Sequence, residues 1–440
     1  MKKICFLHVL LFLFSGLAVS KAQSSPSQWN QWRGPNRDGH VNAQDWPERV
    51  SGDSFSLQWS HPLKASYSSP VLDDTLVYTT ETVDDQTERA LAYDRLSGEL
   101  VWSTSWSGGM KVPFFARANG SWIRSTPLLD KNRLYVMGMQ ETLVCLDAGS
   151  GNLLWKLSAP KALQTPDPSF GGVSSPLIEG DALYVQAGGG VIKVDIDKGE
   201  LLWSSGVSSD SMNSSPFSSP MLFDLHGQTQ LVILERTRLC GVDLENGKHL
   251  WSKEVPAFRG MNILTPTQVG NRLLTATYGG KTHLFEPSVS ESGAWQVKEQ
   301  WQYKFQAYMS SPVVAGGHVY LHGRSGRMVC LDLDSGALKW TSEKSFGKYC
   351  SQVTNGKKML CLSNDGMMRL VEINPSKCVI LDERRVSDEE TWAHLGMVGR
   401  DVFIRSLNAL SFHRWESSET QRADRGKSIQ NGSTAESLDS

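Results

Sequence analysis

The sequence predicts an all-β protein, an eight-bladed β-propeller of four-stranded antiparallel blades closed by an N-terminal strand. Three observations carry that expectation. An Asp, a Gly four residues later and a Trp four after that recur at Asp94-Gly98-Trp102, Asp147-Gly151-Trp155, Asp195-Gly199-Trp203, Asp243-Gly247-Trp251 and Asp332-Gly336-Trp340. A Ser-Ser-Pro or near relative opens an apolar run at Pro70, Pro127, Pro176, Pro220, Pro266 and Pro312, with spacings of 57, 49, 44, 46 and 46 residues. A period of that size means a repeat architecture. Finally, Leu57-Gln58-Trp59 reads as a last strand without its first three, while residues 394–398, 402–405 and 410–413 read as three strands lacking a fourth. The two fragments complete one blade, which is how a propeller avoids an exposed sheet edge.

Taken in order, Met1 to Ala22 reads as a signal peptide: Lys2 and Lys3, an apolar run from Ile4 to Val19, then Ser20-Lys21-Ala22. Its apolar core is shorter than the ~20 residues of a spanning helix, and no Cys marks the cleavage point for a lipid anchor. Export to the periplasm or beyond is expected, with no membrane span after cleavage. Residues 23–56 form a clasp segment containing Trp29, Trp32 and Arg33-Gly34-Pro35-Asn36-Arg37-Asp38-Gly39. Both indoles are expected to pack against the propeller near its closure point, with Arg33 pairing with a carboxylate or carbonyl.

Residues 57–415 hold the propeller. Each Pro starts a first strand, a polar turn such as Asp73-Asp74 or Asp130-Lys131 leads to a second, and the Asp-x3-Gly-x3-Trp unit is a hairpin of the third and fourth. First strands fall near the six prolines, Gln352 and Gly396; last strands fall at Trp59, Trp102, Trp155, Trp203, Trp251, Trp301, Trp340 and near Leu381. Both counts give eight. Blade five has Glu286 for the Asp and a longer loop to Trp295 and Trp301, and blade seven lacks the Trp. A buried indole removes about 200 Å² from water, worth roughly 5 kcal/mol, so the repeat Trp residues read as scaffold. Residues 416–440 are polar and charged, the composition of a disordered tail.

Net charge is −2 with 40% hydrophobic residues and no long basic run, which does not suggest a polyanion-binding surface and makes nucleic acid an unexpected partner. A monomer is expected. Once Cys5 leaves with the signal, six Cys remain. Cys145 and Cys330 occupy equivalent repeat positions and read as packed thiols. A two-residue turn at Asn355-Gly356 would place Cys350 opposite Cys361, where a disulfide becomes possible.

The Ser-Ser-Pro strand, the Asp-x3-Gly-x3-Trp hairpin and the eightfold count resemble the pyrroloquinoline quinone (PQQ) repeat of quinoprotein alcohol dehydrogenase-like propellers. Trp29-x-x-Trp32-Arg33-Gly34-Pro35-x-x-Asp38-Gly39 is similar to the opening of a group of exported bacterial PQQ-like repeat proteins. The resemblance covers roughly residues 29–415 and implies a propeller whose function resides in the central funnel. PQQ dehydrogenases of this superfamily carry adjacent Cys beside the cofactor and a calcium-binding Glu, Asn and Asp. No two Cys are adjacent here, and no local motif matches the calcium ligands. No Cys-x-x-Cys-His for haem is present either. A second relative is the propeller lipoprotein that assists outer-membrane barrel assembly by binding proteins.

His318 and His322 lie about 13 Å apart in a strand, too far to share one ion. The Asp195 and Asp332 turns lack the later Glu of a calcium loop. The loops entering each first strand face the funnel and carry Tyr67, Trp122, Arg124, Phe170, Asn213, Arg259, Asn262, Tyr308, Tyr349, Trp392 and His394. Such a ring of aromatics and cations could hold a planar anionic ligand by stacking and bidentate hydrogen bonds, or simply plug the channel. The expectation is therefore a non-catalytic binding or scaffolding propeller with no cofactor, its partner an unidentified protein or small molecule. The alternatives are a periplasmic PQQ- and calcium-dependent dehydrogenase and an interaction protein of envelope assembly.

Overall fold

The computed structural model describes residues 28–41, 46–210 and 215–416. The expected signal peptide, the stretch beyond Glu416 that composition suggests is a disordered tail, and the candidate Asn213 lie outside those residues. Within them the chain forms eight sheets of four antiparallel strands, in sequence order from the inner strand outward in seven of them. The eighth combines Gly396–Val398, Asp401–Ser406 and Ala409–Trp415 with Phe55–Pro62, which pairs with the last of these from Phe55↔Trp415 to Pro62↔Ala409. The expected N-terminal closure is thus present. Arg405, buried in this blade, ties the ring shut by donating to Lys64 O and Thr80 O of the chain entering and forming the first blade.

The Asp-x3-Gly-x3-Trp unit joins neighbouring blades. Each Asp caps its own turn by accepting backbone N–H groups, as Asp94 does from Leu96 and Ser97. That turn exposes the next carbonyl to the Trp of the preceding blade: Trp102 Nε1 donates to Ala148 O at 2.8 Å, Trp155 to Ile196 O at 2.9 Å and Trp301 to Leu333 O at 2.9 Å. The indole lies across the Gly of the same turn, so a Cβ on Gly151 would meet Trp102 at 2.6 Å. Blade five lacks that Gly, and Trp251 of blade four donates to Gln230 of its own blade instead. Blade five's long loop is in fact a lengthened pair of strands, Thr282–Val289 and Trp295–Tyr303, around a turn at residues 290–294.

The Ser-Ser-Pro segments make a second set of links around the axis. The N–H of Thr126 donates to Ser175 Oγ, that of Ser175 to Ser219 Oγ, that of Ser219 to Thr265 Oγ1, and that of His394 to Ser69 Oγ. Small hydroxyls suit this place because each is buried and accepts a neighbouring blade's N–H.

One register expectation is corrected. The turn after Cys350–Thr354 spans four residues, pairing Thr354 with Met359, because Asn355 accepts N–H groups from Lys357 and Lys358 and widens it. Cys350 therefore faces Ser363 and Cys361 faces Gln352, and both thiols are free. Cys145 and Cys330 are packed thiols, fully buried.

Candidate functional site: a blind central funnel

Four antiparallel strands put two kinds of connection on one face of the disc: those leading into a first strand and the turns between second and third strands. The Asp-x3-Gly turns fall on the other face. On the first face the connections surround a central chamber of about 750 Å³.

Its floor is the clasp segment. Trp29 makes an antiparallel bridge with Leu72, Asn30 exchanges hydrogen bonds with Leu129, and Val41 and Gly39 bond to Thr354, all on inner strands. Between these anchors the chain turns tightly through residues of positive φ at Arg33, Gly34, Arg37 and Gly39. Gly34 is required there, since a Cβ would lie 2.7 Å from the Trp29 ring. The turn pushes two guanidiniums into the channel. Arg33 donates to Pro312 O at 2.6 Å, and Arg37 to Pro176 O at 2.8 Å and Ser175 O at 3.2 Å, all carbonyls of the inner Ser-Ser-Pro belt. Trp32 sits between them, with guanidinium carbons 5.5 and 5.3 Å from its ring, and its edge meets His394.

Arg33 did find carbonyl oxygen, as expected, and Trp29 packs at the closure with Trp415, Phe55 and Leu72. Trp32 does not: it lies on the axis and lines the chamber. The clasp is a plug. Burial pulls the Arg33 pKa down to about 10 and that of Arg37 to about 9, so both remain cationic at neutral pH.

Of the predicted ring, Tyr67, Arg124, Phe170, Arg259, Tyr308, Tyr349, Trp392 and His394 line the chamber. Trp122 stands behind them, edge-on to Tyr67 at 5.3 Å. Asn262 is turned away and buried, donating to Val255 O and Arg236 O, so it serves its loop. Tyr349 stacks on Trp392 at 5.6 Å, and Tyr67 reaches Trp392 at 5.8 Å. On the other side Phe115, Phe170 and Phe217 follow one another, and Tyr278 meets Tyr308 at 5.3 Å. Sequence reasoning missed Trp32, Phe115, Phe217, Arg236, Phe258 and Tyr278. Arg236 and Tyr278 occupy turns between second and third strands, which strand parity alone would have put on the funnel face.

The chamber is apolar with cationic spots and carries no Asp or Glu among its described lining residues. Burial lowers Arg124 to about 10 and raises Tyr67 to about 12, and it drives His394 to about 3, which leaves that imidazole neutral. Arg236 lies over Phe217 at 4.7 Å and Arg259 over Phe258 at 5.2 Å. Cations on ring faces over an apolar cup suit an aromatic group beside an anion. At the rim Phe114, Phe115 and Phe258 are 78%, 56% and 57% exposed, which places large apolar groups in solvent around the opening.

A family model described as outer membrane protein assembly factor BamB matches residues 86–342. Curated relatives of that name include the proteins of Shewanella oneidensis, 26% identical over 160 residues, 36% of each chain, and Moranella endobia, 32% identical over 108 residues, 23% of this chain and 26% of that protein. The chain thus matches about a third or less of the length of these relatives. Among solved structures, BamB from Moraxella catarrhalis superposes with a TM-score of 0.61 at 15% identity, over 82% of this chain and 98% of that one. A europium-containing methanol dehydrogenase gives 0.52 at 11% identity, over 89% and 98%. These two likenesses are of fold.

Proposed function

The chain belongs to the outer membrane protein assembly factor BamB family, and from that premise we propose that it is a protein-binding propeller of envelope assembly, working in the periplasm, with the funnel face as its binding surface. The observation that carries this reading is the blind chamber with its rim of exposed Phe114, Phe115 and Phe258. A floor sealed by buried arginines cannot pass a chain through the disc, but it can receive a side chain from one lying across the opening. The occupant that fits is a partner segment presenting an aromatic side chain next to a carboxylate, the ring entering the cup and the carboxylate meeting Arg124, Arg236 or Arg259.

The dehydrogenase alternative fits less well. Calcium takes six to eight oxygen ligands, with Asp and Glu carboxylates prominent among them, and the chamber lining supplies no carboxylate among the described residues. Guanidiniums could meet an anionic quinone, yet among the described lining residues no carboxylate would hold its metal. The exported group marked by the Trp29-x-x-Trp32-Arg33-Gly34-Pro35 run rests on sequence likeness alone, since the family match begins downstream at residue 86.

Photo-cross-linking residues at Phe115 and Phe258, with Leu338 on the opposite face as control, provide the test in cells that make the protein. Cross-links to one envelope protein from the rim but not from Leu338, together with a fall in outer-membrane barrel proteins on deletion of the gene, are expected. Unchanged barrel levels on deletion, or cross-links from the control position only, would remove this reading.

A further inference from the structure

Away from the funnel, blade four brings three metal-ligating side chains together. Glu235 follows the second strand, Gln228–Leu234; Cys240 lies in the third, Arg238–Val242; His249 opens the fourth, His249–Glu254. Cys240 pairs with Ile233, two residues before Glu235, and His249 pairs with Val242, two residues after Cys240, so strand alternation turns all three to one face of the sheet. One oxygen of Glu235, the Cys240 sulfur and one His249 ring nitrogen all lie within 4.8 Å of one another.

Their hydrogen bonding is incomplete in a particular way. Arg238 holds only Oε2 of Glu235, through Nε at 3.1 Å and Nη2 at 2.8 Å. Oε1 is left without a hydrogen-bond partner on a side chain more than nine-tenths buried, and so is the buried His249 Nε2. These two orphaned atoms stand 3.6 Å apart. That separation is too long for a hydrogen bond but matches the roughly 3.3–3.8 Å between ligand atoms that a tetrahedral ion bonded at ~2.0–2.3 Å imposes. The backbone of blade three closes the other side, where a Cβ on Gly206 would come within 2.4 Å of Oε1.

We propose that Glu235, Cys240 and His249 form a binding site for one divalent transition-metal ion of the zinc class. Thiolate, imidazole and carboxylate are the donor set of that class rather than of calcium or magnesium. Binding forms one bond to sulfur, one to nitrogen and one to oxygen and releases the thiol proton to solvent. The carboxylate, which keeps Arg238 on its Oε2, and the thiolate then bring two negative charges to the ion. The ion would clip the three outer strands of blade four beside blade three.

The test uses the full exported chain stripped of metal. Zinc is expected to bind at one ion per chain and raise the melting temperature. Cobalt in its place is expected to give a thiolate-to-metal charge-transfer band. Cys240→Ser should lose that band. His249→Ala should bind zinc at least ~100-fold more weakly while keeping wild-type circular dichroism. His249 is 24% exposed, so this variant decides the matter if Cys240→Ser fails to fold. No saturable uptake by the wild type, or unchanged affinity in His249→Ala, would mean that Glu235 and His249 are only an ion pair and overturns the site.

Discussion

Single buried carboxylates give the molecule a pH response. Glu141 accepts one backbone bond from Gly188 of the next blade, its other oxygen has no hydrogen-bond partner, and burial with Asp167 nearby raises its pKa from 4.5 to about 8. Burial likewise raises Glu88 to about 7 against the opposing bonds from Met139 and Trp106. A group that holds its proton longer when folded makes the folded state bind more protons than the unfolded one. The contribution of these two carboxyls to stability therefore falls as pH rises from about 4.5 to about 8, while the imidazoles of His322, His394 and His413, held by burial near 4, 3 and 4, act the other way and add stability as pH rises toward 6.5. Glu141→Gln should flatten that slope, as read from melting temperatures between pH 5 and pH 8.5; identical slopes would show that Glu141 ionises freely. The turn residues Asp94, Asp147, Asp195 and Asp332 act in a separate window. Their hydrogen bonds hold them below the usual carboxylate range, so their contribution is lost only as pH falls toward acid.

At the scale of the element, the repeated turn is a socket for the preceding blade's indole. Gly151→Ala adds a Cβ at positive φ and drives it into Trp102, whereas Gly227, also at positive φ, has nothing within 4 Å. Gly227→Ala should cost about 1 kcal/mol of backbone strain, and Gly151→Ala that plus a further ~1–3 kcal/mol of overpacking, measured by denaturant unfolding. Equal costs would mean that the indole moves aside freely. The spacing of Asp, Gly and Trp made the hairpins legible because the same contact recurs in blade after blade. What the motif binds was not legible, since its partner lies in the next repeat. Nor was the plug's depth: Trp32 and Arg33 occur once, outside the period, and only the positive φ at Arg33 and Arg37 shows how they enter the channel. The Cys350 register failed for a local reason, the Asn355 side chain that widens a turn.

The whole ring depends on one distant pairing, that of Phe55–Pro62 with Ala409–Trp415. Around it Asp382 accepts the N–H groups of Val50 and Ser51, and Arg384 donates to Gly52 O and Phe55 O, so the strand's approach is fixed to blade seven as well. Removing residues 23–60 takes away the closing strand and the floor together. That truncation should abolish the single cooperative transition by differential scanning calorimetry, because blade eight gains an open edge and the funnel a hole. A truncated chain that melts like residues 23–440 would show that closure is dispensable.

The plug also sets an order of events. Its anchors, Leu72, Leu129, Ser175, Pro176, Pro312 and Thr354, are spread over blades one, two, three, six and seven, so its site does not exist until most of the chain has been made. Residues 29–62 are made before any of the blades they touch and find their places last. In the interval they carry Trp29, Trp32 and Phe55 uncovered, and the long loop to be closed makes the final step slow. A molecule stalled before residue 415 offers neither a finished ring nor a floored chamber, so the chamber takes its final shape only as the closing strand pairs with Ala409–Trp415.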